Sequence, residues 1–182
     1  VYSDGRIAGA FFVQAFQTGP GRMAATFFDI AARKRAEEGL RLNEARFASL
    51  YRMSQWRVED EQEFLDFALH EALALTDSRY GYIYLYDEMA RVFTLNSWSR
   101  DVMADCAVRE PQTCYELDKT GIWGEAVRQR RPILINDFAA AHPLKKGYPA
   151  GHVVLSRFLT VPVRRGESIV AVVGVANKRA EY

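Results

Sequence analysis

Two runs rich in aromatic and β-branched residues open the chain, Arg6 to Gln17 and Arg22 to Ile30. They flank the turn-forming Thr18-Gly19-Pro20-Gly21. That arrangement predicts a β-hairpin. A hairpin alone is marginal in water, so it is expected to belong to a larger sheet; the alternative is an independent hairpin packed on the main domain. The pattern then changes. From Ala32 to about Arg57 there is no proline, and only Gly39 interrupts good helix formers. Asp29 stands where an N-cap is expected. Ala36, Leu40, Phe47 and Leu50, with polar Asn43 and Ser54 on the same line, follow the alternating four-three spacing of a two-stranded coiled-coil seam. Arg33, Lys34, Glu37, Glu38, Arg41, Glu44 and Arg46 fall mainly off that line, on the solvated side. The spacing predicts a parallel homodimer through Ala36, Leu40, Asn43, Phe47 and Leu50, with Asn43 setting the register. A single amphipathic helix packed on its own domain is the alternative.

A second helix is predicted over Asp60 to Leu75, with an apolar stripe at Phe64, Phe67, Ala68, Ala72 and Leu75, ended by Thr76-Asp77-Ser78. Tyr80 to Tyr86 and Val92 to Trp98 then read as an antiparallel pair around Asp87 to Arg91. Glu125 to Arg130 reads as a short helix stopped before Pro132, and Ile133 to Ile135 as a short buried strand. Phe158 to Val163 and Ser168 to Ala176 form a second hairpin around Arg164 to Glu167. Ile169 to Val175 is apolar on both faces, which predicts a central strand covered on both sides. Strands in one run with helices outside them argue for an α+β class built on one antiparallel sheet flanked by helices, preceded by a long linker helix and a β-hairpin fragment.

Composition narrows the function classes. The chain of 182 residues has room for one full domain plus a fragment or linker. A formal charge of +1 removes a global electrostatic argument for nucleic acid, and Arg33-Lys34-Arg35 reads as a solvated helix face. No apolar run approaches the roughly 20 residues of a membrane helix. The first residues, Val1-Tyr2-Ser3-Asp4-Gly5, have neither an initiator methionine nor the make-up of a signal peptide, so the expectation is a piece of a longer, cytoplasmic protein. Cys106 and Cys114 are too few for a disulfide scaffold. The histidines His70, His142 and His152 show no metal-site spacing with them, so no metal is expected.

Several motifs in order carry a family resemblance. Gly121-Ile122-Trp123-Gly124-Glu125-Ala126-Val127 continues through Pro132-Ile133-Leu134-Ile135-Asn136-Asp137. Lys145-Lys146-Gly147-Tyr148-Pro149, Gly151-His152, and Ser156-Arg157-Phe158-Leu159-Thr160-Val161-Pro162-Val163 follow. Over residues 58 to 182 this resembles the GAF domains of bacterial signalling proteins, mostly small-molecule receptors that bias an attached output domain. Asp29-Ile30-Ala31-Ala32-Arg33-Lys34-Arg35-Ala36-Glu37-Glu38 resembles the junction that ends many PAS domains, with Ala31 where that pattern has threonine. The resemblance implies that residues 1–28 are the last hairpin of a PAS sheet, 29–57 a signalling helix and 58–182 a GAF-like sensor domain without its usual closing helix. An output module such as a histidine kinase or diguanylate cyclase is expected outside this chain.

In that family the ligand lies on the sheet face opposite the packed helices, under loops that correspond here to 101–118 and 136–157. The resemblance implies a pocket with Trp123, Phe138, Tyr148 and Phe158 as walls and Asn136, Asp137, His152 and Arg157 as polar contacts. Lys145, Lys146, His152 and Arg157 favour an anionic ligand. Blander roles stand beside these: Trp123 as core, Gly124, Gly147 and Gly151 in turns, Asn136-Asp137 capping a helical turn from Phe138 to Ala141, and Lys145-Lys146 at a solvated loop tip. Asn177-Lys178 is similar to the start of a cyclic-nucleotide signature, but its remaining residues do not follow, so cyclic-nucleotide binding is not supported. Neither cysteine directly precedes a histidine, so a covalent bilin is not expected; the cofactor is unassigned. Two alternatives accompany the sensor reading. One is a GAF-fold free methionine sulfoxide reductase or thiol redox sensor using Cys106 and Cys114. The other is a ligand-free dimerisation module.

Overall fold

A computed structural model describes residues 2–3, 8–57, 60–105, 113–147 and 152–182. The chain divides into two compact units, Val1–Tyr51 and Arg52–Tyr182. In the first, β1 (Tyr2–Ser3) pairs with β2 (Ala8–Gly9), a pairing the hydrophobic pattern did not indicate. The expected hairpin is β3 (Phe11–Gly19) against β4 (Arg22–Asp29), with Gly21 at φ 69° in the turn. It starts later than Arg6, because Ala8–Gly9 is taken by the pairing with β1. Register sets Phe12 opposite Phe28 and Val13 opposite Phe27. Successive side chains alternate faces, so large apolar residues lie on both sides of the ribbon. Met23 and Phe27 remain 77% and 66% exposed.

α1 spans Ala31–Ser54, ending three residues before Arg57. Its first turn is capped by the Asp29 carboxylate, which accepts the Ala31 N–H at 2.8 Å. Exposed ion pairs Arg33–Glu37 and Arg41–Glu38 line its polar sides. On the four-three line Leu40, Phe47 and Leu50 are 62%, 72% and 61% exposed, and Ala36 and Asn43 are exposed too.

The second unit opens with α2 (Glu61–Thr76). Asp60 caps it by accepting the Gln62 N–H at 2.7 Å, and Asp77 closes it in the left-handed conformation, φ 52°. There follow β5 (Tyr80–Asp87), β6 (Val92–Trp98), α3 (Arg100–Asp105), β7 (Cys114–Glu116), two tight turns at Leu117–Lys119 and Ile122–Gly124, α4 (Glu125–Arg128), β8 (Ile133–Ile135), β9 (Phe158–Arg165) and β10 (Ser168–Ala176). The six strands form one antiparallel sheet in the order β7-β6-β5-β10-β9-β8. β10, apolar from Ile169 to Val175, is central, as its composition predicts. No described helix is long and apolar enough to cross a membrane.

Register separates the two faces of this sheet. Gly174 lies between Tyr82 and Thr160, and Ala176 between Tyr80 and Phe158. These positions, with Tyr84 and Val172, make an aromatic face. Ile83, Leu85, Val161 and Val163 point to the other face, where Leu69 and Leu73 of α2 lie over Gly81. The expected stripe on α2 is therefore rotated. Its buried positions are Leu69 and Glu71, Leu75 is exposed, and Phe64 and Phe67 pack on Trp56 instead, at 6.4 and 4.7 Å between rings. The expectation of a buried strand at Ile133–Ile135 also needs correction. β8 pairs only with β9 at the sheet edge, and Leu134 is half-exposed. The short helix ends at Arg128, because Arg130 turns to φ 52°.

Candidate functional site

The aromatic face is built around one side chain that the sequence reading passed over. Tyr82 lies flat across β10 at Gly174. A Cβ at 174 would overlap the Tyr82 ring and hydroxyl, so only glycine leaves room for this path. The Tyr82 hydroxyl reaches β9 and donates to Thr160 Oγ1 at 3.3 Å, and Thr160 is fully buried. Around the Tyr82 ring stand Tyr84 at 5.4 Å, Trp123 at 6.2 Å and Phe158 at 6.4 Å, centroid to centroid. Trp123 also meets Phe93 at 4.8 Å, Tyr84 at 5.1 Å and Tyr115 at 5.5 Å. Offset and edge-on arrangements of this kind add attraction beyond area burial. Burial pushes the Tyr82 and Tyr84 hydroxyls well above the ordinary phenol range, so both stay neutral. The chemistry on offer is that of binding: ring faces and neutral hydroxyls.

Trp123 is held there by a clamp built from its neighbours. Gly124 touches Thr120 so closely that a Cβ would overlap Thr120 Oγ1. It therefore serves close packing at negative φ rather than a left-handed turn. Arg128 donates to the carbonyls of Leu117 at 2.5 Å and Thr120 at 2.9 Å and pairs with Glu125 at 2.5 Å. Burial raises the Glu125 pKa, but hydrogen bonds from Gln129 and Arg128 outweigh it and hold the carboxyl below its ordinary range. By its sequence Arg128 is only one residue of the short helix expected over Glu125 to Arg130. Its role depends on carbonyl groups up to eleven residues away, which local spacing does not reveal.

The described parts of the connection 136–157 cover the other end of this face. Its Phe138 and Val153 are buried in one cluster with Tyr80, Phe158 and Ala176, and the Phe138 and Phe158 rings are 5.7 Å apart. Of the expected contact residues, Trp123 and Phe158 both come against Tyr82. Asn136 Oδ1 accepts the Tyr182 N–H at 2.9 Å. Asp137 is exposed and accepts the N–H groups of Ala139 and Ala140, each at 3.1 Å; the residues that follow form bends rather than a helical turn. His152 is half-buried with Nδ1 2.7 Å from the Val153 carbonyl. Arg157 donates to the Lys178 carbonyl at 3.2 Å, while its Nε is buried without a hydrogen-bond partner. Lys145 binds the carbonyls of Phe138 and Ala140, and Lys146 that of Asp118. Tyr148, Gly151 and Cys106 lie outside the described residues; Cys114 is exposed at the start of β7.

Asn177 ties the connection to the chain leaving β10. In the left-handed conformation at φ 59°, it accepts from the Ser156 N–H at 2.8 Å and donates to the Val154 carbonyl at 2.8 Å. Tyr182 adds a 2.6 Å hydroxyl bond to Ser78 at the end of α2. Open clefts lie elsewhere. One of about 750 Å³ between α2 and the end of β6 is lined by His70, Asp77, Arg79 and Trp98 among others. Another of about 380 Å³ is lined by residues including Tyr86, Arg91 and Arg130. Neither is lined by any of the expected contact residues.

A six-stranded antiparallel sheet with a helix on one face and long connections over the other defines a class of small α+β domains. The family model for the GAF domain matches residues 58–182, and the chain belongs to that family. It is similar to the methyl sulfide methyltransferase-associated sensor of Methanosarcina acetivorans, with 45% identity over 154 residues. That match takes in 85% of this chain but only 15% of the relative's length. Among solved structures it resembles the GAF domain of a phosphoenolpyruvate-protein phosphotransferase from Coxiella burnetii, with TM-score 0.62 and 12% identity over 78% of this chain and 80% of the other. It also resembles the free methionine-R-sulfoxide reductase of Neisseria meningitidis, with TM-score 0.57 and 14% identity over 75% of this chain and 73% of the other. At such identities these two structures speak for the fold alone.

Proposed function

We propose that this chain is a sensory regulatory segment of a signal-transduction protein, and that it holds a small molecule on the aromatic face beneath the connection 136–157. The observation that carries the reading is this connection. Its described residues, 136–147 and 152–157, contain no helix or strand, and together they exceed the roughly 12–15 residues beyond which structureless loops are usually functional or disordered. Buried Phe138 and Val153 and the Asn177 bonds hold its described part against the sheet, which argues for function. The relative named as a sensor supports the same reading.

In this reading Trp123, Phe158 and Tyr148 wall the ligand, and His152 supplies a polar contact. Asn136, Asp137 and Arg157 shape the connection and its junction with the chain end. The domain itself is not an enzyme. Ligand binding shifts the population of the connection's conformations, and the change passes through helices to an output domain such as a kinase or cyclase. The exposed line of Leu40, Phe47 and Leu50 supports a homodimer through α1. The hairpin β3–β4, apolar on both faces, supports the end of a PAS sheet.

Native mass spectrometry of the gently purified chain tests the core claim. A stoichiometric small molecule is expected, and its absence from every preparation rejects ligand sensing in favour of a ligand-free dimerisation module. Oxidation of a thiol reductant that depends on methionine sulfoxide and on Cys106 or Cys114 would move the reductase reading to first place. Arg157→Lys refines the residue roles. Because the guanidinium holds the Lys178 carbonyl, the variant is expected to lose about 1 kcal/mol of stability without ligand, with ligand affinity little changed. Weakened affinity at unchanged stability would return Arg157 to direct ligand contact.

A further inference from the structure

The contact between Tyr82 and Gly174 has a consequence for the ligand. A tyrosine side chain crosses the middle of a sheet face, on the one central-strand residue without a side chain, and its hydroxyl extends to a buried threonine on the next strand. The rings of Tyr84, Trp123 and Phe158 surround it. The hydrogen bond at the far end is long, at 3.3 Å against the usual range of about 2.5–3.0 Å for hydroxyl pairs.

Resting on the sensory reading above, we infer that Tyr82 is a built-in occupant of the ligand site. The slot over Gly174 is a ring subsite that accepts a small planar aromatic bearing a hydroxyl or amino group, once Tyr82 has moved out. Three features point to this class of ligand. The floor at Gly174 has no side chain, which leaves room for a ring to lie against the strand. The walls are ring faces and edges, which favour another ring. Thr160 is buried at the far end, so a ligand that displaces the Tyr82 hydroxyl must bring its own hydrogen-bonding group or leave that threonine unpaired, which costs affinity. Tyr82 is the specificity-determining residue in this scheme. Its closed state lowers the apparent affinity in proportion to the fraction of molecules in which the slot is open. Since Tyr82 is on β5, beside the central strand β10, its departure alters packing in the middle of the sheet rather than at a loop tip.

The test uses two probes of one shape, 4-methylphenol and toluene, with the intact chain, Tyr82→Ala and Tyr82→Ala/Thr160→Val, read by calorimetric titration and thermal melts. Tyr82→Ala is expected to bind 4-methylphenol about tenfold more tightly than the intact chain does and about fivefold more tightly than it binds toluene. Adding Thr160→Val is expected to reverse the preference, since a dry apolar cavity favours toluene. If Tyr82→Ala does not fold alone, the same contrast is read as recovery of its folding transition by 4-methylphenol but not by toluene. Equal binding of the two probes by Tyr82→Ala, no binding or rescue by either, or intact-chain affinity for 4-methylphenol matching the variant's would each overturn the inference. Failure of the sensory reading is seen separately, as the lack of any co-purified molecule in the intact chain, and leaves the probe contrast unaffected.

Discussion

The ribbon β3–β4 and the sheet β5–β10 are both antiparallel, both rich in aromatic and β-branched residues, and both turned by glycine at positive φ, at Gly21 and Gly166. Yet Phe12, Phe16, Phe27 and Phe28 are at least half-exposed, while Phe93, Tyr84 and Val172 are buried. The six-stranded sheet has elements over each face: α2 on one, Trp123, Phe138 and Val153 on the other. The ribbon has two strands, and two strands rarely supply enough buried surface to be stable alone. Apolar composition thus marks where burial is wanted; a second layer of structure decides where it occurs.

Truncating one large ring in each region gives the widest contrast. Trp123→Ala is expected to cost about 3–5 kcal/mol in chemical denaturation, because it opens a hole among Tyr84, Phe93 and Tyr115. Phe27→Ala in the ribbon should change the stability of the chain by no more than about 0.5 kcal/mol. A comparable loss from both would show that the ribbon is covered after all. Next in size comes Arg52→Ala. Arg52 meets the buried Glu71 of α2 through two bonds, 2.5 and 3.2 Å long, and its removal takes both charge-assisted bonds from that carboxylate, at a cost of about 2 kcal/mol.

A smaller effect, visible in its pH dependence, belongs to Glu125. Its folded-state pKa is depressed, so its stabilisation is present above the unfolded value of about 4.3 and fades as pH falls through the lower folded value. Melts of Glu125→Gln should show a deficit at neutral pH that closes in acid. A deficit independent of pH would mean that Gln129 and Arg128 recognise the shape of the group rather than its charge. The smallest effect on stability is expected from Phe47→Glu, since Phe47 is exposed on α1. In sedimentation, however, the intact chain should be dimeric at roughly tens of micromolar, a range suited to a short coiled coil, and the variant monomeric. An intact chain that sediments as a monomer removes the seam from the proposal.

Most elements were legible because their signals are local. The hairpin follows from a Gly/Pro turn between apolar runs, α2 from its period, and β10 from being apolar on both faces. The errors share a cause. The expected stripe on α2 runs through Phe64, Phe67, Ala68, Ala72 and Leu75, but a helix has two apolar rows when Trp56 and the sheet each take one. Ile133–Ile135 looked buried because its residues are apolar, while its place at the sheet edge depends on the order of strands. The expected contact residues divided in the same way. Trp123 and Phe158, which the resemblance implies as pocket walls, come against Tyr82, whereas Asn136 and Arg157 have partners at Tyr182 and Lys178 that no spacing rule connects to them.

The sequence by itself determined the long hairpin, the two long helices, the two strand pairs of the sheet, the class of fold, the family and the central place of β10, because capping, turn chemistry and periodicity act within a few residues. Only the tertiary structure decided that Tyr82 would lie over Gly174 and reach Thr160, that Arg128 would gather the carbonyls beneath Trp123, and that Asn177 would fasten the long connection to the chain end. These contacts join residues far apart in the chain. Each depends on how far one side chain reaches across a neighbouring strand or turn, a distance that exists only once the sheet has formed.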